Sequence, residues 1–182
     1  METSILIAGF GGQGVLFAGQ LLAYAGMAEG RHVTWIPSYG PEMRGGTASC
    51  TVIISDDAIG APLVTQPDVA IVLNLPSFEK YDPLVKKGGL LIVNSSIIPV
   101  TSPREDIEII YMPANSIAEE FGAVRMLNVA VIGAMLARRP ILNLEAVERT
   151  LIEQLSKKKA HLIDANLAVL KHGYEAGLMV AA

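Results

Sequence analysis

Apolar residues along this chain fall into two kinds of run. Short continuous ones at residues 4–8, 32–36, 49–55, 69–73, 90–93 and 108–111 have the length and the β-branched content of strands. Longer ones carry apolar positions three and four apart and predict helices. Residues 15–29 form one, with Leu16, Leu21, Leu22 and Ala25 toward the core and Gly30 closing it. Residues 125–137 are apolar nearly all round and predict a buried helix. Asn143 is placed to cap another, which carries Leu144, Val147, Leu151 and Leu155 on one face and Glu145 and Glu148 in its early turns. Residues 116–121 predict one or two helical turns, and Asp164 is placed to cap a last helix ending near Gly177. Strands that are apolar throughout, rather than at alternate positions, predict a sheet covered on both faces, as in parallel α/β folds. No repeat or linker divides the chain. The expected architecture over residues 1–182 is therefore one α/β domain, Rossmann-like, with a mostly parallel sheet flanked by helices.

Composition adds a surplus to be explained. The chain has 182 residues, 51% hydrophobic and 18% charged, with a mean hydropathy of +0.42. Soluble domains usually carry roughly 25% charged residues. Residues 126–137, the longest nearly uncharged stretch, fall far short of the ~20 that a spanning helix needs. Residues 4–8 are too short for a signal-peptide core. The expectation is a cytoplasmic protein, with no membrane segment, whose extra apolar surface meets a partner. Fourteen basic and eighteen acidic residues give a net charge of −4 without a basic stripe, which argues against nucleic acid as a partner. The run Lys157-Lys158-Lys159 sits at the end of a predicted helix, where cations suit the dipole. Cys50 is the sole cysteine, and His32, His161 and His172 lie far apart, so no metal site is expected.

Candidate chemistry concentrates in two loops. Gly9-Phe10-Gly11-Gly12-Gln13-Gly14 follows the first strand and opens the first helix, matching G-x-G-x-x-G in its required context. Glycines allow a tight turn and close approach, and free amides at the helix start favour an anion. A dinucleotide site also needs an acidic residue about twenty positions on, at the end of the second strand. That strand ends Thr34-Trp35-Ile36-Pro37-Ser38, with no carboxylate. The loop thus fits an anion or phosphate contact better than NAD or FAD, and close helix–sheet packing is the other role its glycines can have. The second loop, Pro37-Ser38-Tyr39-Gly40-Pro41-Glu42-Met43-Arg44-Gly45-Gly46-Thr47, is expected at the carboxyl edge beside the first. Arg44 can fork onto a carboxylate or phosphate while Gly45 and Gly46 bring amides near, or it can pair with Glu42 within the loop. Asn74, just past a strand end, is a further candidate contact. Asn128, in an apolar helix, is expected to satisfy a nearby backbone group. Cys50 reads as a small buried hydrophobe and Asp56-Asp57 as a turn.

Taken in order with Ile54-Ser55-Asp56, Pro67-Asp68 and Gly88-Gly89, these two loops resemble the gamma subunit of the 2-oxoacid:ferredoxin oxidoreductases. The resemblance runs over residues 1–137, and the form of the second loop is most similar to that of 2-oxoglutarate enzymes. It implies CoA-dependent oxidative decarboxylation of a 2-oxoacid to its acyl-CoA, with ferredoxin as electron acceptor. Thiamine diphosphate, magnesium and iron–sulfur clusters are expected in partner alpha and beta subunits and in a cluster-bearing delta subunit. This chain has neither the Gly-Asp-Gly segment of a thiamine diphosphate site nor cysteines for a cluster. It is therefore expected to be an accessory subunit, inactive alone and without a catalytic residue. Its ligand-facing residues would be Gly9, Gly11, Gly12, Gln13, Gly14, Ser38, Tyr39, Gly40, Glu42, Arg44, Gly45, Gly46 and Asn74. The alternative is a stand-alone nucleotide- or CoA-binding Rossmann module without redox activity.

Overall fold

Six strands occupy the predicted runs: β1 (Glu2–Phe10), β2 (His32–Tyr39), β3 (Thr47–Ser55), β4 (Val69–Val72), β5 (Leu90–Asn94) and β6 (Glu108–Met112). Six α-helices accompany them: α1 (Val15–Ala28), α2 (Leu75–Tyr81), α3 (Ala114–Glu120), α4 (Leu127–Arg138), α5 (Leu144–Ser156) and α6 (Ile163–Met179). The computed structural model describes residues 1–39, 47–122, 124–156 and 159–179, the side chains of Tyr39 and Val124 excepted. Among the described residues, no helix is long and apolar enough to cross a membrane.

The strands form one sheet in the order β2-β3-β1-β4-β5-β6. The pairs β1–β4, β4–β5 and β5–β6 are parallel, as expected. The remaining two pairs are antiparallel, within the mostly parallel sheet expected. β2 and β3 are antiparallel, and β3 lies antiparallel to β1, between β1 and β2. Burial concealed this, because β3 hides residues on both of its faces, among them Val52 and Ile53. A continuous apolar run reports covered faces and says nothing of direction.

The pleat divides the core in two. Ile5, Ile7, Ile71 and Ile92 face the layer that holds α1, α4, α5 and α6, while Leu6, Val72 and Val93 face Phe78 of α2 and Val85. In α1 the core positions are Val15, Ala18, Leu21, Leu22 and Ala25, and Leu16 is only half-buried. Gly30, at φ +74°, closes that helix as expected. Two expected caps differ in detail. Asn143 starts α5 through its carbonyl, which accepts from Ala146 N–H at 3.0 Å, and Asp164 lies inside the first turn of α6. Helix α4 is buried along nearly its whole length and presses on α6 through glycines. A Cβ at Gly173 would lie 2.1 Å from the Ala130 carbonyl oxygen, and one at Gly133 would lie 2.2 Å from that of Leu170.

Asp68 ties the amino edge of the parallel strands together. Its Oδ2 accepts from Ser4 N–H at 2.9 Å and from Ser4 Oγ at 2.8 Å, and its Oδ1 accepts from Lys86 Nζ at 2.8 Å. Burial works to raise the carboxyl's pKa, yet Lys86 and the two Ser4 donors hold it below the ordinary aspartate value.

Two outcomes are expected. Gly173→Ala forces the α4–α6 backbones apart and should lower the urea-unfolding free energy by about 3 kcal/mol. The Asp68 contribution is full above the unfolded aspartate pKa of about 3.9 and is lost as pH falls through the lower folded value. Asp68→Asn should therefore flatten the acid limb of stability measured below about pH 4.

Candidate functional site

Between the end of β1 at Phe10 and the start of α1 at Val15 there is only the turn 11–14. Gln13 N–H closes it by donating to the Phe10 carbonyl at 3.2 Å. Gly12 and Gly14 take φ of +98° and +75°, the left-handed region that favours glycine. No side chain caps α1, whose first backbone bond runs from Ala18 N–H to the Gly14 carbonyl at 2.9 Å.

Side chains explain two of the four glycines. Gln13 Oε1 accepts from Phe10 N–H at 2.6 Å, while its Nε2 donates to the Leu73 carbonyl at 2.9 Å. A Cβ at Gly9 would lie 2.6 Å from that Oε1 and 2.9 Å from Leu73 Cβ. Asn128 reaches in from α4, its Nδ2 donating to the Gly14 carbonyl at 3.1 Å, and a Cβ at Gly14 would lie 2.5 Å from the same nitrogen. Asn128 thus satisfies a backbone group, as expected of a polar residue in an apolar helix. Gly11 and Gly12 are exposed, and a Cβ at Gly12 would meet nothing within 4 Å. Packing accounts for Gly9 and Gly14; the open face belongs to Gly11 and Gly12.

Asn74 lies next to this turn, one residue beyond Leu73. It is fully buried and caps α2, its Oδ1 accepting from Ser77 N–H at 2.8 Å. Its Nδ2 and the Ser77 Oγ are buried without a hydrogen-bond partner. Further along the edge, Asn94 Nδ2 donates to Asn115 Oδ1 at 2.9 Å, and Ser96 Oγ accepts from Asn115 N–H at 3.2 Å. This polar seam belongs to no single motif of the sequence. Its signal was an asparagine directly after the apolar run of β5, as Asn74 follows that of β4.

Gly40, Glu42, Arg44, Gly45 and Gly46 lie outside the described residues. The flanking strands fix where their segment leaves the sheet. Tyr39 pairs with Ala48, which pairs with Gly9, and Thr47 pairs with Phe10. The described ends of β2 and β3 therefore lie at the same edge as the glycine turn, and β3 rather than β2 flanks β1. Ser38 is exposed on the outer strand, opposite Ser49. Two strand spacings separate β2 from β1, about 10 Å. Hence the end of β2 is not the neighbour of the glycine turn that ribose recognition in a dinucleotide fold requires.

Metal-cluster chemistry does not fit this chain's donors. An iron–sulfur cluster is held by about four thiolates, and Cys50 is the only cysteine. It is fully buried, with Sγ 3.4 Å from the Val15 carbonyl, and burial pushes its thiol up to about 11. Among the described residues, no three His, Cys, Asp or Glu side chains gather as a metal site.

Comparison with known proteins places this geometry. The family model described as pyruvate ferredoxin/flavodoxin oxidoreductase matches residues 4–176. A ketoisovalerate oxidoreductase subunit VorA from Methanothermobacter marburgensis is 41% identical over 172 residues, covering 94% of this chain and 36% of that one. A 2-oxoglutarate synthase subunit KorC from Methanocaldococcus jannaschii is 31% identical over 178 residues, covering 96% of this chain and 94% of that one. The crystal structure of the gamma subunit of a keto/oxoacid ferredoxin oxidoreductase from Geobacter sulfurreducens PCA superposes with a TM-score of 0.85 at 28% identity, over 98% of this chain and 97% of that one. The chain thus spans 36% of the length of the ketoisovalerate relative and nearly all of the other two.

The glycines should separate by substitution. Gly12→Ala meets only backbone strain and should cost about 1 kcal/mol, whereas Gly14→Ala adds a collision with Asn128 and should cost about 3 kcal/mol. Urea unfolding of the two variants measures the difference.

Proposed function

The chain belongs to the pyruvate ferredoxin/flavodoxin oxidoreductase family, and we propose that it is the accessory gamma subunit of a 2-oxoacid:ferredoxin oxidoreductase. The complex would turn a 2-oxoacid and CoA into acyl-CoA and carbon dioxide, passing the electrons to ferredoxin. The observation that carries the proposal for this chain's own part is the open Gly11–Gly12 turn at an uncapped helix start. Backbone amides so placed take an anionic group, and the phosphates of CoA supply one. Asn74, one residue beyond Leu73, keeps its buried Nδ2 without a partner at the same edge.

Thiamine diphosphate supplies the carbanion chemistry and iron–sulfur clusters carry single electrons; in this reading both belong to the alpha, beta and delta subunits. The surface supports such partners. Helix α1 contains no charged residue, yet Tyr24 and Met27 are 52% and 61% exposed. Apolar surface of this kind suits a subunit contact. The Tyr39–Gly46 segment and the full-length match to a 2-oxoglutarate synthase subunit favour 2-oxoglutarate as the substrate. The higher identity to a ketoisovalerate oxidoreductase subunit favours a branched 2-oxoacid as the second reading.

Reconstitution with candidate partners, followed by CoA-dependent dye reduction on 2-oxoglutarate, 2-ketoisovalerate and pyruvate, tests the assignment. Turnover that needs this chain is expected. A stable chain that takes no such partners but binds an adenine nucleotide would sink the assignment in favour of a stand-alone module. Arg44→Ala should raise the KM for CoA or 2-oxoacid about tenfold while the complex still assembles, the loss of one charge-assisted contact. Unchanged kinetics would remove Arg44 from the site, and dissociation would make it an interface residue.

A further inference from the structure

The parallel ladder between β1 and β4 ends in an unusual way. Its last backbone bond runs from Leu73 N–H to the Ala8 carbonyl at 2.8 Å. In a regular parallel ladder the next bond would run from Phe10 N–H to the Leu73 carbonyl, two residues further along β1. Both of those groups instead bond to Gln13. Phe10 N–H donates to Oε1 at 2.6 Å, and Nε2 donates to the Leu73 carbonyl at 2.9 Å. The carboxamide is spliced into the ladder as an extra peptide-like rung. It arrives where the main chains must part, β1 turning into α1 on one face of the sheet and β4 into α2 on the other. Gly9 completes the device, since a Cβ there would lie 2.6 Å from the rung's oxygen.

We propose that Gln13 is a positioning residue: its carboxamide bridges the ends of β1 and β4 and so holds the Gly11–Gly12 turn in the shape that an anion meets. In this role it acts through the turn, with one Nε2 hydrogen and one Oε1 lone pair committed to the backbone. This role replaces the direct ligand contact expected of Gln13 from the motif. Its functional half rests on the reading of the turn as the place for CoA phosphates.

The test pairs hydrogen exchange on the full chain with kinetics of the reconstituted complex. Gln13→Met keeps the side-chain length and loses both bonds; Gln13→Glu keeps the acceptor for Phe10 and loses the donor to Leu73. In Gln13→Met the Phe10 amide should exchange about tenfold faster, with β4 and the interior of α1 unchanged. The same variant should raise the KM for CoA about tenfold and leave kcat and the 2-oxoacid KM within about twofold. Gln13→Glu should keep Phe10 protected. Unchanged Phe10 exchange in Gln13→Met overturns the rung. Faster exchange with an unchanged CoA KM, or a fall in kcat alone, overturns the positioning role. If Gln13→Met does not fold, the wild-type chain decides, and a Phe10 amide that exchanges as fast as an unprotected turn amide overturns the rung. A wild-type complex without CoA-dependent turnover would overturn the functional assignment instead, and Phe10 exchange would still judge the rung.

Discussion

Between Phe10 and Leu73 two neighbouring strands run out of backbone to pair with, and a side-chain amide occupies the gap. Much of the carboxyl edge depends on that junction. Gly9 is glycine because the Gln13 carbonyl oxygen lies where its Cβ would be. Gly14 is glycine because Asn128 lies where its own would be, and Asn128 is held by α4, itself locked to α6 by backbone contact at Gly173. The turn is therefore braced from the strand side by one carboxamide and from the helix side by another. On the proposed reading, bracing of this kind would hold the Gly11–Gly12 turn ordered before an anion arrives, so that binding would not have to order it.

The mixed sheet changes what such a turn can recognise. With β3 inserted between β1 and β2, the ground beside the turn is the base of a hairpin. A ribose-reading carboxylate at the end of β2 would be one strand too far away. The same insertion sets Thr47, the first residue of β3, directly beside Phe10 at the start of the turn. One topological step thus removes a dinucleotide feature and brings the ends of β2 and β3, at Tyr39 and Thr47, to the edge that holds the turn.

The sequence disclosed where strands and helices lie because burial leaves a period. Strand direction leaves none when both faces are covered, as Val52 and Ile53 illustrate. Length gave no help either: the runs at 32–36 and 49–55 leave residues 37–48 between them, about the dozen that a parallel crossover needs. The glycine motif was legible as a motif, but the partner of each glycine was not. Asn128 contacts a carbonyl 114 positions away, and no local pattern encodes that distance. Gln13 could be read as polar and near a helix start; its part in a ladder became visible only when β4 was placed beside β1.

The burial of Cys50 has a practical side. A thiol raised to about 11 is almost entirely protonated at neutral pH, and this one is sealed inside β3. The chain's one native sulfhydryl is therefore inert toward alkylating reagents while the fold persists. That makes the natural sequence a ready background for attaching a single spectroscopic label. A cysteine introduced in place of Leu63, a side chain 84% exposed, would carry a fluorophore or spin probe with the native thiol left in place.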